Sequence, residues 1–500
     1  MKKIKAYLSL VFAKYIFNKN QAWKKNPLDF QKKIMSDLVH KAKKTKFGIE
    51  HSFSNIKNYS DFKKHVPIRD YEGFKEYIDL IKSNEKNVLW PGKPKYFCKT
   101  SGTTSGTKYI PLTKESLQNQ LDTARDAILS YIHETKNTSI YNGKMIFIQG
   151  SPQLDSTEKT LTGRLSGIVA HHIPFYLRGN RLPSFESNCI EDWEEKINAI
   201  VDETIDQDMS LISGIPPWVQ MYFEKLIQKS GKSISSLFPN FKLFIYGGVN
   251  YEPYRNTMER LIGGSVDGLE LYPASEGFIA YQDSQKEDGM LLCVNNGIFY
   301  EFIKTEDFFK ENPARINLEN VEIGVDYVII LNTNAGLWGY NIGDTIKFVS
   351  NNPYRIIVSG RLKHFTSAFG EHVIAQEVEY SINECVKIHA AEVSGFHVAP
   401  MVSPTMGLPR HQWFIEFMKE PKDLSAFEKT LDVFLQDQNT YYKDLITGGI
   451  LSRLEIVKLK RNGFNDYMKS IGKLGGQNKI PRLSNDRKIA EKLEKHKLIV

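Results

Sequence analysis

The stretch Ser101-Gly102-Thr103-Thr104-Ser105-Gly106-Thr107-Lys108 sets two glycines among hydroxyl side chains. It follows a strand-like run, Lys95–Lys99, and precedes a segment with helical apolar spacing. In that segment Thr113 is placed to cap the helix, and Leu117, Leu121, Ala124 and Ile128 fall on one face. Glycine permits positive φ and close backbone approach, while hydroxyls and successive N–H groups can surround phosphate oxygens. The segment is not a Walker A loop, because Gly102 to Gly106 is one residue too short and no Gly-Lys-Ser/Thr ending follows. By composition alone it fits a plain polar turn equally well.

Outward from this loop, strand-like and helix-like runs alternate, which predicts an α/β architecture with substantial sheet. The expected strands include Lys144–Gln149, Phe241–Tyr246, Gly268–Tyr272, Asp326–Asn332 and Tyr354–Ser359. Beyond about residue 360 the pattern predicts a small α+β unit. Its helices are expected near Ala375–Ile388 and Leu424–Gln436, and its strands near Ala391–Ala399, Gln412–Met418 and Arg453–Leu459. The division falls at 1–360 and 361–500, with no long linker between the two parts.

The 500 residues are 41% hydrophobic and 25% charged, with 34 Gly and 20 Pro, which is a globular composition and excludes a disordered or fibrous chain. Cys98, Cys189, Cys293 and Cys385 lie far apart, in no zinc-ligand or disulfide spacing, so a reducing compartment is expected. Residues 1–50 carry thirteen Lys against Asp29, Asp37 and Glu50, a balance of +10; since the whole chain is +8, the rest sums to −2. This basic segment contains no Arg, the residue suited to bidentate phosphate and base contacts, so no nucleic-acid partner is expected. Lys14 interrupts the apolar stretch Ala6–Phe17, and no cleavage-site pattern follows. The reading is a cytoplasmic protein with an amphipathic first helix and no membrane insertion, loose contact with a membrane surface being the lesser alternative.

The 101–108 segment with the following Tyr109-Ile110-Pro111-Leu112-Thr113 resembles the phosphate loop of the adenylate-forming enzymes. Within them it is most similar to the auxin-responsive Gretchen Hagen acyl-acid amido synthetases, here as a bacterial homologue. Further matches follow in order: Phe244-Ile245-Tyr246-Gly247-Gly248, Tyr272-Pro273-Ala274-Ser275-Glu276-Gly277, Tyr340-Asn341-Ile342-Gly343-Asp344, and Gly476-Gln477-Asn478-Lys479-Ile480-Pro481-Arg482. The resemblance implies a large multi-sheet N-terminal domain, with αβ layers and a β-barrel element, and a smaller, mobile α+β C-terminal domain. It implies activation of a carboxylic acid by ATP and Mg²⁺ as an acyl adenylate, then amide formation with an amino acid. An acyl-CoA ligase and a non-catalytic acyl- or nucleotide-binding homologue are the alternatives. A monomer is expected.

By the same resemblance, Ser101, Gly102, Thr103, Thr104 and Ser105 would hold the β- and γ-phosphates. Gly247, Gly248 and Tyr272 would flank adenine, and Ser275 would lie near the α-phosphate or the acyl carboxylate. Glu276 offers a hard oxygen to Mg²⁺, and Asp344 would accept the ribose hydroxyls. Asn341 stands where many relatives carry Arg, so a basic contact from that position is lost. Arg361 at the joint is a second-rank catalytic candidate. Lys479 would meet charge developing on the α-phosphate and bridging oxygen, with Lys473 its competitor. His171, His172, Pro217 and Trp218 are candidate pocket residues, each of which also reads as ordinary packing.

Overall fold

The computed structural model describes residues 2–101, 107–156, 160–173, 179–190, 192–248, 251–362, 365–366, 373–402, 404, 407–447, 451–474, 480–484 and 486–500. By compactness the chain divides into two units, Met1–Ile342 with Ile346–Val358, and Gly343–Thr345 with Ser359–Val500.

The strands up to the division are β1 (Tyr96–Ser101), β2 (Thr107–Leu112), β3 (Lys144–Ile148), β4 (Leu161–Gly163), β5 (Arg181–Leu182), β6 (Met209–Gly214), β7 (Leu243–Gly247), β8 (Asp267–Ala274), β9 (Gly277–Tyr281), β10 (Met290–Leu292), β11 (Ile298–Lys304), β12 (Ile316–Asn317), β13 (Asp326–Thr333), β14 (Tyr340–Asn351) and β15 (Tyr354–Arg361). β1 pairs antiparallel with β2 and parallel with β4 in a small separate sheet. In the large sheet, β5, β3, β6, β7 and β8 are parallel neighbours. The helices Trp193–Thr204, Pro216–Ser230 and Glu252–Ile262 connect its later members and pack side by side. Parallel strands require such crossovers, and helical cover buries consecutive rather than alternate residues, as in Met209–Ile212 of β6 and Leu243–Ile245 of β7.

At β8 the chain turns back into β9, and from there the sheet continues through β10, β15, β14, β13, β11 and β12. The expected β-barrel element does not close. Among the described residues the twelve strands run in one open order from β12 to β5, and both of these edge strands are two residues long. Closure needs the first and last strands to pair with a consistent stagger, and stubs this short offer no ladder for it. Aromatic packing under the N-terminal helices fills a second core, where Trp338 stacks on Phe47, meets Phe53 edge-on and donates its indole N–H to the Leu89 carbonyl at 3.1 Å.

The second unit contains β16 (Phe365–Thr366), β17 (Val373–Ile374), β18 (Glu392–Met401), β19 (Arg410–Lys419) and β20 (Glu455–Leu459). β18 and β19 are antiparallel, and β20 runs parallel to β19. Alternate residues serve opposite faces. Phe396, Val398, Trp413 and Ile415 join the core built by the helices Ala375–His389 and Leu424–Gln438, while Ala399, Phe414 and Leu459 pack with Tyr467, Ala490 and Leu493. This is the α+β unit expected from the sequence, with every element end within two residues of its expected place; β18 and β20 start one and two residues later than expected.

Candidate active site

The carboxyl ends of parallel strands leave side chains and backbone N–H groups facing open space, which is where α/β sheets bind ligands. Here β7 ends at Gly247, with Gly248 following, and β8 ends at Ala274, with Ser275 and Glu276 following. Gly247 sits opposite Leu271 in the parallel register, one residue before Tyr272. A Cβ at position 247 would lie 2.1 Å from the Leu271 carbonyl oxygen, so only glycine permits this approach. Gly248 has φ of +77°, which glycine adopts without steric cost. Gly247→Ala is therefore expected to destabilise the protein by about 3 kcal/mol, since backbone rather than a flexible side chain must move. An unaltered urea midpoint for this variant would refute the close approach.

Ala274 pairs with Gly277, so Ser275 and Glu276 form a two-residue tip between β8 and β9. Gln120, buried on the helix Lys114–Thr135, donates to the Ala274 carbonyl at 2.8 Å and anchors that tip. The helix is itself fixed at its start. Thr113 accepts from Ser116 N–H, Ser116 returns a bond to the Thr113 N–H, and the Thr113 hydroxyl donates to the Asn334 carbonyl at 2.9 Å. Strand β2 lies between the 102–106 segment and this helix, and it pairs antiparallel with β1 so that Ser101 is in register with Thr107.

Glu276 is 8% exposed. Burial first, and the Glu276 charge second, push the pKa of Tyr340, at the start of β14, well above its ordinary value. Cys98, in the middle of β1, is likewise pushed up by burial and then by the Glu276 charge. One carboxylate is thus felt from β1, three residues before Ser101, and from β14, four residues before Asp344. Asp344 is buried and belongs to the second unit, where Gly343, at φ of +87°, accepts from Leu362 N–H at 2.7 Å.

His171 and His172 follow the helix Leu165–Ala170. The His171 Nε2 lies 2.8 Å from the Pro152 carbonyl, and the His172 Nε2 lies 3.1 Å from the Tyr96 hydroxyl. Burial first, then Lys95 and His171, lower the His172 pKa. Trp218 is buried in the first turn of the helix that leaves β6, whose start is set by Pro216 and Pro217. Ser101, Arg361 and Pro217 are described in their backbone only, and Gly102, Thr103, Thr104, Ser105 and Lys479 lie outside the described residues. Lys473 follows the helix Gly463–Ser470, its N–H donating to the Met468 carbonyl at 2.8 Å. Sequence pattern assigns no role to Tyr340 or Gln120. A glutamine on the apolar face of a helix is the one signal that points to Gln120.

Three family models match in order along the chain: the GH3 family N-terminal domain over residues 17–185, the GH3 family central domain over 291–361 and the GH3 family C-terminal domain over 376–488. The chain belongs to the GH3 family. Among GH3 relatives, the indole-3-acetic acid-amido synthetase GH3.15 of Arabidopsis thaliana is 25% identical over 378 residues, 61% of this chain and 63% of that protein. The jasmonoyl–L-amino acid synthetase JAR4 of Nicotiana attenuata is 22% identical over 352 residues, 57% of this chain and 60% of that protein. The chain therefore spans less than two thirds of the length of either relative. The structure of the GH3.15 acyl acid amido synthetase in complex with 2,4-DB superimposes with a TM-score of 0.80 at 16% identity, covering 98% of this chain and 96% of that one. A 2-hydroxyisobutyryl-CoA ligase in the postadenylation state shares the fold more loosely, with a TM-score of 0.57 at 12% identity over 93% of this chain and 90% of that one. The GH3 fold is thus a mixed α/β body followed by a smaller α+β unit.

Proposed function

We propose that this GH3 chain joins a carboxylic acid to an amino acid through an acyl adenylate. The observation that carries the reading is that the Glu276 charge is felt both on β1, the strand that leads into the hydroxyl-rich 102–106 segment, and at Tyr340, the start of the Tyr340–Asp344 motif, with Glu276 itself on the β8–β9 tip. The amido synthetases named above support the second half of the reaction.

In the first step a carboxylate oxygen bonds to the α-phosphorus of ATP while the bond to the β-phosphate breaks and pyrophosphate leaves. Ser101, Gly102, Thr103, Thr104 and Ser105 offset the repulsion between these anions by donating to the phosphates. Gly247 and Gly248 give adenine room beside the Tyr272 ring. Ser275 donates near the α-phosphate, and Asp344 accepts both ribose hydroxyls. Among the described residues no three His, Cys, Asp or Glu side chains group into a metal cage. Mg²⁺ characteristically takes one or two carboxylates with substrate phosphates and water, and Glu276 fits that mode as its protein ligand. Lys479 supplies a cation to the α-phosphate, and Arg361 is a secondary contributor. Thus residues 1–360 hold the nucleotide and acyl sites and 361–500 the catalytic lysine. In the second step the amino acid's nitrogen attacks the acyl carbonyl and AMP departs. His171, His172, Pro217 and Trp218 border the acyl or amino-acid side of the pocket. The chain works as a cytoplasmic monomer.

ATP–pyrophosphate exchange across a panel of carboxylic acids, followed by product analysis with amino acids and with coenzyme A in parallel, tests the proposal. Acid-dependent exchange with amide products supports it. Thioester products alone would make the chain a CoA ligase, and absence of exchange with every acid would leave a binding protein. Asp344→Ala is expected to raise the KM for ATP by about ten- to a hundredfold, because up to two charge-assisted hydrogen bonds of roughly 1.5–3 kcal/mol each are removed. A fall in thermal stability with unaltered ATP affinity would instead make Asp344 a structural turn residue.

A further inference from the structure

The helix Lys2–Lys25 carries apolar side chains on two sides. Its inward side is fixed: Ala13, Ile16 and Trp23 are buried in the core of the first unit. Asn20 donates to Asp126 at 3.1 Å and accepts the Trp23 indole N–H at 3.1 Å, and Lys24 pairs at 2.7 Å with Asp283, whose side chain is 6% exposed. These contacts set the rotation of the helix, so its outward side cannot turn into the core. On that outward side Tyr7, Leu8, Val11, Phe12 and Tyr15 are 67, 58, 51, 44 and 60% exposed. At about 100° per residue they cover one continuous arc of roughly 140°. Scattered exposed apolar residues are ordinary, whereas a contiguous stripe marks an interaction surface.

The chemistry around the stripe selects its occupant. The helix holds seven lysines and no acidic residue, and Lys14, Lys19 and Lys25 are exposed. A second copy of the chain, meeting this face through a two-fold axis, would set lysine against lysine. The +10 balance of residues 1–50, against −2 for the remainder, calls for a surface dense in negative charge that also accepts apolar side chains. An anionic bilayer supplies both. Among the described residues no helix is long and apolar enough to cross a membrane, so the contact would be peripheral.

We propose that the helix Lys2–Lys25 docks the protein on an anionic lipid surface, with Tyr7, Leu8, Val11, Phe12 and Tyr15 at the acyl boundary and the exposed Lys14, Lys19 and Lys25 among the headgroups. The test is sedimentation of the full chain with vesicles of phosphatidylcholine alone and of phosphatidylcholine containing about one quarter phosphatidylserine. Partitioning onto the mixed vesicles should exceed that onto the neutral ones by at least about tenfold and fall as salt is raised. The double variant Leu8→Glu with Phe12→Glu should lose at least about tenfold of this partitioning at a nearly unchanged unfolding midpoint, because neither side chain belongs to the core and Phe12 meets the Arg125 guanidinium, which a glutamate would also accept. Should that variant misfold, Lys14→Gln with Lys19→Gln provides an independent arm, expected to weaken binding to the mixed vesicles only. Equal partitioning onto the two vesicle types, full binding by both variants, or a wild-type dimer that Leu8→Glu with Phe12→Glu dissociates would each overturn the proposal.

Discussion

Lys479→Ala is expected to lower kcat for ATP–pyrophosphate exchange by about two to three orders of magnitude, some 3–4 kcal/mol, with little change in ATP affinity. On the proposed reaction, the charge this ammonium meets is greater on the departing pyrophosphate and the α-phosphate than in bound ATP. An interaction that strengthens only at the transition state affects kcat rather than binding. The amide-forming step, started from a presynthesised acyl adenylate, should suffer less, since pyrophosphate has already left. Lys473→Ala is the control: it lies just past a helix end, in a turn with Gly472 at φ of +65°, and its loss should be close to neutral. Full exchange activity in Lys479→Ala with an inactive Lys473→Ala would transfer the role to Lys473.

The second large effect is expected at Glu276. Glu276→Gln keeps the shape of the side chain and leaves the Gln120 bond to the Ala274 carbonyl untouched, so the β8–β9 tip should hold and the unfolding midpoint should stay near wild type. What is lost is the negative charge. A neutral amide is a poorer ligand for a hard divalent cation, and adenylation at limiting Mg²⁺ should fall by about a hundredfold, with partial recovery as Mg²⁺ is raised. Tyr340→Phe separates positioning from ligation. It removes a hydroxyl on which the Glu276 charge acts while leaving the carboxylate in place, so a loss of about tenfold or less is expected, without the shift in Mg²⁺ dependence. Wild-type rates for Glu276→Gln across the Mg²⁺ titration would remove the metal role.

Local pattern in the sequence determines where most of the elements lie. Apolar runs bounded by turn residues mark strands such as β13 and β15, and helical spacing marks Ala375–His389 and Leu424–Gln438, because burial of one face imposes a period on the residues themselves. The order of the glycine-, hydroxyl- and carboxylate-bearing motifs is likewise a property of the sequence, and it points to the GH3 family. Partnership is decided only by the tertiary structure. Periodicity shows which side of an element is covered but not by what, so Cys98, Glu276 and Tyr340, distant in the chain, come together through strand pairings that no local pattern encodes. The same gap explains the β-barrel element that does not form, since closure depends on the length and stagger of edge strands far apart in sequence. It also explains the first helix: its residues record that it is apolar and lysine-rich, whereas only the contacts of Asn20, Trp23 and Lys24 decide which of its apolar sides remains in solvent.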